Sequence, residues 1–92
     1  MANSPVHPRV EIYTSPFCGY CARAKALLEK KRVAYQEYDV MMDPGLRTVM
    51  TKRAGGDHRV PQVFINDKHI GGSDKLMMLE TSGELDAMLA SA

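Results

Sequence analysis

The sequence predicts an α/β domain with a four-stranded mixed sheet flanked by helices. Two short apolar strands enclose a stretch rich in alanine, leucine and lysine, which is the pattern of a βαβ unit. Two further apolar runs follow across an Asn66-Asp67 turn, which predicts a hairpin. Ninety-two residues, with 45% apolar and 25% charged side chains, are enough for one globular domain. We therefore interpret residues 1–92 as a single domain, with residues 1–8 as a loose leader.

The first half of the chain predicts two parallel strands joined by a helix. Arg9–Tyr13 alternates and predicts a strand, buried on both faces if Tyr13 packs inward. A helix is expected from Cys18 or Gly19 to about Lys31, because this stretch lacks proline and has the inward stripe Ala24, Leu27 and Leu28. Val33–Val40 predicts the second strand, parallel to the first because a helix connects them.

The second half predicts a helix, a hairpin and a helical end. Asp43 and Pro44 are typical of N-cap and N1 of a helix that runs to about Arg53. The remaining expected elements are strands at Val60–Asn66 and Lys68–Ile70, a helix capped by Ser73 or Asp74, and a last helical segment from Glu84 to about Ala90.

Charge and hydropathy exclude several classes of function. Twelve basic and eleven acidic side chains give a net charge of +1, without the basic stripe of a nucleic-acid or membrane-surface binder. No apolar run approaches the roughly 20 residues that span a bilayer. The first eight residues also lack the charged and apolar regions of a signal peptide. We therefore expect a cytoplasmic protein that binds neither nucleic acid nor membranes.

Cys18-Gly-Tyr-Cys21 contains the two cysteines of the chain. At the start of a helix, free backbone N–H groups and the helix dipole favour a negative charge, so the first thiol ionises more easily. The thiolate is the nucleophile of disulfide exchange, and the second cysteine lies one turn later. In a reducing compartment such a pair indicates redox catalysis or metal binding. A purely structural disulfide is disfavoured because so small a ring restrains the unfolded chain little.

Four features in order make the sequence resemble the glutaredoxins, from Val10 to about Leu89. They are Ile12-Tyr-Thr, Cys18-Gly-Tyr-Cys21, Val60-Pro-Gln-Val-Phe-Ile and Ile70-Gly-Gly-Ser-Asp74. The absence of tryptophan argues against the thioredoxin branch. The resemblance implies a thioredoxin-like fold and a dithiol glutaredoxin of the short bacterial type, expected to be a monomer.

The resemblance implies a glutathione-dependent thiol–disulfide oxidoreductase. Its substrates would be protein disulfides and protein–glutathione mixed disulfides, with Cys18 as nucleophile and Cys21 as resolving thiol. Pro61 is expected to be cis, so that the Val60 backbone faces the sulfur. The residues that would bind glutathione, as co-substrate, are Tyr20, Arg59, Val60, Pro61, Gly72, Ser73 and Asp74, the last three at its γ-glutamyl end.

Two departures from the family pattern raise separate hypotheses. Ser15 stands where many glutaredoxins have lysine, and we hypothesise that Arg59, with Lys52 or Arg53, supplies the missing cation. Gly19 replaces the commoner proline between the cysteines. Some glutaredoxins without that proline bind a [2Fe–2S] cluster between two subunits. The alternative is therefore a cluster-binding or carrier homodimer that uses Cys18 and glutathione, and no other metal site is expected.

Overall fold

The predicted order of elements is confirmed by the computed structural model, which describes residues 8–90. The elements are β1 (Val10–Thr14), α1 (Gly19–Lys30), β2 (Tyr35–Asp39), α2 (Pro44–Arg53), β3 (Gln62–Ile65), β4 (Lys68–Gly71), α3 (Ser73–Ser82) and α4 (Glu84–Ala90). Of the expected leader, residues 1–7 lie outside the described part of the chain. No helix between residues 8 and 90 is both long and apolar enough to cross a membrane.

The four strands form one mixed sheet, as predicted, and their order across it is β2-β1-β3-β4. β1 pairs with β2 in parallel and with β3 antiparallel, and β4 pairs antiparallel with β3. The carboxyl end of β1 therefore lies at the same edge as the amino end of β3. This topology places the loop before Cys18 beside the Val60–Pro61 segment, and the Gly71–Gly72 turn lies one strand further along.

The sheet is covered on both faces, as the central position of β1 requires. Ile12 belongs to one apolar cluster, with Leu28 of α1 and Leu76 of α3. Tyr13 belongs to the second, with Met50 of α2 and Phe64 of β3. All five residues of β1 are buried, so the expectation that this strand is buried on both faces is confirmed. A rigid, fully buried β1 fixes the position of the loop that carries the cysteines.

The second strand is shorter than predicted. It begins at Tyr35 rather than Val33, because the end of α1 uses the preceding residues. Arg32 has a positive φ of 59°, and the N–H of Val33 donates to the carbonyl of Leu28 at 3.4 Å. These contacts form the helix C-terminus, which periodicity cannot distinguish from an early strand residue.

A buried ion pair between β1 and α2 was not predicted. Glu11 is 4% exposed, and its carboxylate accepts hydrogen bonds from both terminal nitrogens of Arg53, at 2.9 and 3.3 Å. Arg53 also donates to the hydroxyl of Tyr13 at 2.8 Å and lies 4.1 Å from the centroid of the Phe64 ring. The hydrogen bonds from Arg53 lower the pKa of Glu11 below its ordinary value. Arg53 thus packs against Tyr13 and Phe64 of the second apolar cluster.

Candidate active site

Cys18 is the N-cap of α1, in the position expected for a nucleophilic thiol. Its backbone is extended, with φ −106° and ψ 110°, and the helix begins at the next residue. The N–H of Cys21 donates to Sγ of Cys18 at 3.2 Å, which directs a helix N-terminal donor at the sulfur. Cys18 is partly exposed, so a disulfide from another molecule can reach its sulfur.

Cys21 is the opposite of Cys18 in its surroundings. It is 2% exposed, on the inward face of α1. Burial, and then the hydrogen bond with Cys18, raise the pKa of the Cys21 thiol to about 12. At neutral pH it therefore remains a protonated thiol. The two cysteines are unequal: one is accessible at a helix start, and one is shielded a turn below.

A cavity of about 360 Å³ lies beside the start of α1. It is lined by all seven residues that the resemblance assigns to glutathione, together with Asp57 and Gln62: Tyr20, Asp57, Arg59, Val60, Pro61, Gln62, Gly72, Ser73 and Asp74. Cys18 is absent from this lining and belongs to a neighbouring cavity, which Cys21 and Lys25 also line. Tyr20 lines the first cavity, and its two neighbours in the chain, Gly19 and Cys21, line the second. The structure thus brings the predicted binding residues together, next to the nucleophile rather than around it.

The floor of the cavity is formed by two turns in close contact. The Val60–Pro61 peptide bond is cis, as the resemblance implied. A Cβ at Gly72 would come within 3.3 Å of the carbonyl oxygen of Pro61, so a larger residue there would press on that backbone. Gly71 has φ 121°, which side chains rarely adopt. Both glycines therefore allow the β4–α3 turn to lie against the proline segment.

The start of α3 forms part of the cavity lining. The N-cap is Gly72, which corrects the expectation that Ser73 or Asp74 caps this helix. Ser73 is the first helical residue and is buried, whereas Asp74 lies in the first turn and is exposed. Gly72 provides no side-chain hydrogen bond to the first-turn N–H groups. Uncapped N–H groups and the helix dipole favour a carboxylate at this end.

Arg59 provides the cation of the cavity, but it is already paired. Its Nε and Nη2 donate to the two carboxylate oxygens of Asp57, both at 3.0 Å. These hydrogen bonds hold the pKa of Asp57 well below its usual range. The expectation that Arg53 assists Arg59 is wrong, because the Arg53 guanidinium binds Glu11 of β1 and does not line the cavity. Lys52 does not line the cavity either.

Two cavity residues were missed by sequence reasoning. The side chain of Gln62 donates to the carbonyl of Arg59 at 2.9 Å and contacts Nε2 of His69 at 2.6 Å. Gln62 thus fixes the segment between Asp57 and the proline. The proximity of Asp57 to Arg59, two residues apart, was the available signal for their pairing. Sequence alone did not reveal that both would face the cavity.

The comparisons with known proteins identify the family. The glutaredoxin family model matches residues 10–70, well over half of the chain. The chain belongs to the glutaredoxin family. Glutaredoxin from Pseudomonas aeruginosa is 45% identical over 84 residues, which cover 91% of this chain and 99% of that one. Glutaredoxin 3 from Escherichia coli K12 is 49% identical over 80 residues, 87% of this chain and 95% of its own length.

Solved glutaredoxin structures share the fold. The buckwheat glutaredoxin–glutathione complex superposes with a TM-score of 0.81 at 30% identity, over 89% of this chain and 76% of that one. The glutaredoxin from Brucella melitensis gives 0.80 at 46% identity, over 92% and 91% of the two chains. This glutaredoxin-family chain therefore has a thioredoxin-like fold and is a thiol–disulfide oxidoreductase.

Proposed function

We propose that this protein is a glutathione-dependent oxidoreductase that reduces protein–glutathione mixed disulfides and protein disulfides. The observation that carries the proposal is the cavity beside Cys18, which gathers all seven predicted glutathione-binding residues. Its lining combines an uncapped helix start and the acid Asp74 with the arginine Arg59. These groups suit a peptide that carries an amino-acid group and a second carboxylate. The buckwheat relative, solved as a glutathione complex, supports the same ligand.

The monothiol route needs Cys18 alone among the cysteines. Its thiolate attacks the glutathione sulfur of a mixed disulfide, the old S–S bond breaks, and the protein thiolate leaves and takes a proton. Cys18 then carries glutathione as a new mixed disulfide. A second glutathione thiolate attacks the sulfur of the bound glutathione. The bond to Cys18 breaks, which releases oxidised glutathione and returns the Cys18 thiolate. The helix N–H that donates to Sγ stabilises the charge at the start and the end of this cycle.

The dithiol route uses Cys21 in addition. Cys18 attacks a protein disulfide, whose S–S bond breaks: one sulfur joins Cys18 in a mixed disulfide, and the other leaves as a thiolate that takes a proton. Cys21 then loses its proton and attacks Cys18, which releases the second protein thiol and leaves a Cys18–Cys21 disulfide for two glutathiones to reduce. Burial raises the pKa of the Cys21 thiol, which disfavours its deprotonation and therefore this step at neutral pH. We propose that the monothiol route dominates with glutathionylated substrates.

The γ-glutamyl end of glutathione would bind at the start of α3. Its α-carboxylate would accept hydrogen bonds from the first-turn N–H groups, and its ammonium would pair with Asp74. Val60, before the cis-proline, would offer its backbone to the cysteinyl part of the ligand, as a neighbouring strand does. Tyr20 is 65% exposed and would cover the ligand from the side of α1.

The proposal is tested with a peptide carrying a glutathione mixed disulfide and two reducing thiols of matched chemistry. Glutathione is compared with cysteinylglycine, which keeps the thiol and the glycyl end but lacks the γ-glutamyl group. We expect turnover above the uncatalysed rate with glutathione and little with cysteinylglycine. Equal enhancement with both thiols, or none with either, would contradict glutathione dependence.

Asp74→Asn should weaken glutathione binding without impairing the thiols. Loss of a charge-assisted contact to an ammonium costs about 1.5 kcal/mol, so we expect KM for glutathione to rise about tenfold at similar kcat. Asp86→Asn is the matched control, since Asp86 is an acid on α4 that pairs with Lys31. An Asp74→Asn enzyme with the KM of the control would show that Asp74 does not hold the ligand.

A cluster-binding dimer is the second candidate. Its support is the surface around Cys18: Phe17 is fully exposed, Tyr20 is largely exposed, and a Cβ at Gly19 would meet no atom within 4 Å. A second copy could cover such a surface. Within residues 8–90 no three acidic, cysteine or histidine side chains group as metal ligands, so Cys18 would need thiolates from outside the chain. Anaerobic reconstitution with iron and sulfide should then give visible absorbance and a dimer, and a colourless monomer would contradict it.

The setting and partners form part of the proposal. The proposed setting is the cytoplasm, where glutathione keeps thiols such as Cys18 and Cys21 reduced. The protein partners would be disulfide-containing or glutathionylated chains that present one sulfur to Cys18. The protein would act as a monomer and dimerise if a cluster is bound.

A further inference from the structure

The cavity wall carries one more negative charge than positive. Among its described lining residues, Arg59 is the sole cation, and Asp57 and Asp74 are the two acids. One positive and two negative side chains leave a net charge of −1. Glutathione at neutral pH also carries a net charge of −1, from two carboxylates and one ammonium. The lining therefore has no surplus positive charge to attract the second carboxylate of glutathione.

Arg59 is also the group that would meet the glycyl carboxylate. If the start of α3 takes the γ-glutamyl group, Arg59 is the one cation among the described lining residues that remains for the glycyl carboxylate. Asp57 accepts three hydrogen bonds from Arg59, from the backbone N–H, Nε and Nη2, each at 3.0 Å. This is a bidentate pair, the strongest arrangement between a guanidinium and a carboxylate. A glycyl carboxylate must compete with Asp57 for the same fork or bind next to a like charge.

The charge of Arg59 is thus largely neutralised before any ligand arrives. The hydrogen bonds to Asp57 raise the pKa of Arg59, and the charge of Asp74 adds to the same effect. The Asp57 side chain is 28% exposed and the Arg59 side chain 79% exposed. Arg59 can therefore swing towards solvent, whereas Asp57 is held closer to the cavity wall.

We propose that Asp57 determines specificity at the glycyl end: it occupies Arg59, so that the cavity accepts glutathione amidated at its glycine about as well as glutathione. This inference rests on the proposed function, because it assumes that the cavity binds glutathione. The substrate class it adds is glutathionyl derivatives whose glycyl carboxylate is joined to an amine. Such a derivative loses only an attraction to Arg59 that Asp57 has already cancelled.

The test uses two mixed disulfides of one peptide, one carrying glutathione and one carrying glutathione glycine-amide. Glutathione is the reductant in both, and release of the peptide thiol is followed by chromatography, so no coupling enzyme must accept the amide. The measured quantity is the ratio of kcat/KM for the acid to kcat/KM for the amide. In the unmodified protein we expect a ratio of about one, because an exposed pair of charges that is already satisfied contributes little.

Substitution of Asp57 and substitution of Arg59 should change the acid-to-amide ratio in opposite directions. Asp57→Asn frees Arg59 and should raise the ratio about three- to fivefold, the size of effect that an exposed ion pair has. Arg59→Gln leaves Asp57 unpaired and should lower the ratio below one. The double variant should return it to about one. Asp86→Asn, the acid on α4, should leave it unchanged.

The possible outcomes distinguish a failure of this inference from a failure of the proposed glutathione-dependent function. A rise of less than about twofold in Asp57→Asn, or a rise that persists when Arg59 is also replaced, overturns the role of Asp57. No enzyme-dependent release from either mixed disulfide overturns the proposed function instead. Enzyme-dependent release of the peptide thiol, with an acid-to-amide ratio that rises in Asp57→Asn and falls in Arg59→Gln, supports both the inference and the proposed function.

Discussion

Cys18→Ser should reduce turnover of a glutathionylated peptide to the rate without enzyme. Disulfide exchange requires a thiolate nucleophile, and serine cannot form the mixed disulfide with glutathione. The fold should be unaffected, because Cys18 is partly exposed and acts as an N-cap, a position that serine also favours. The measurement is the initial rate of peptide thiol release, with circular dichroism to show that the variant is folded.

Cys21→Ser is the matched control for this loss. The buried thiol is not needed in the monothiol route, so we expect most of the turnover with glutathionylated peptide to remain. Turnover of a substrate with an intramolecular disulfide should fall, since Cys21 resolves that intermediate. If Cys18→Ser kept its activity while Cys21→Ser lost it, the roles assigned from exposure and pKa would be reversed.

Arg53→Met should destabilise the fold more than the other substitutions described above, because Arg53 pairs with the buried Glu11. It removes the main partner of the buried Glu11 carboxylate, which keeps a hydrogen bond from the Tyr38 hydroxyl and Arg9 at 4.0 Å, and breaking a buried pair costs about 3–5 kcal/mol. Arg53 is 24% exposed, so water can partly replace it and we expect the lower end, about 3 kcal/mol. A domain of this size should then melt at least about 12 °C lower. Urea unfolding followed by circular dichroism measures the change.

The dependence on pH distinguishes this ion pair from a simple loss of packing. Arg53 lowers the folded-state pKa of Glu11 below its ordinary 4.5, so the pair stabilises the protein above that pH and less as pH falls through the folded pKa. In Arg53→Met, burial raises the pKa of Glu11, and only the Tyr38 hydroxyl and Arg9 still oppose that shift. The destabilisation should therefore be smaller at pH 4 than at pH 7. Lys52→Met, at an exposed neighbour, should have little effect at either pH.

The fold could be predicted almost completely because local patterns agreed with one another. Alternation at β1, the capping pair Asp43–Pro44 and the turn at Asn66–Asp67 each specified an element that the structure contains. The errors lay at boundaries, where tertiary contacts decide. The start of β2 depends on how α1 ends at Arg32.

The candidate site was predicted in its membership but not in its electrostatics. Residue types and order placed Tyr20, Arg59 and Asp74 at one cavity, since a motif reports which residues meet. It does not report which partner each side chain chooses. Arg53 was expected at the cavity but binds Glu11, and Asp57 was overlooked although it binds Arg59. Both errors concern long side chains, whose reach allows several partners.

The most direct test of the account is the intact mass of Cys21→Ser after exposure to oxidised glutathione. With Cys21 absent, the adduct at Cys18 cannot be resolved, and we predict a mass increase of one glutathionyl group. Peptide mapping should locate it at Cys18, and reduced glutathione should remove it at the catalytic rate. A protein that stays unmodified, or whose adduct forms no faster than on an unfolded peptide containing Cys18, would contradict glutathione chemistry at this cysteine.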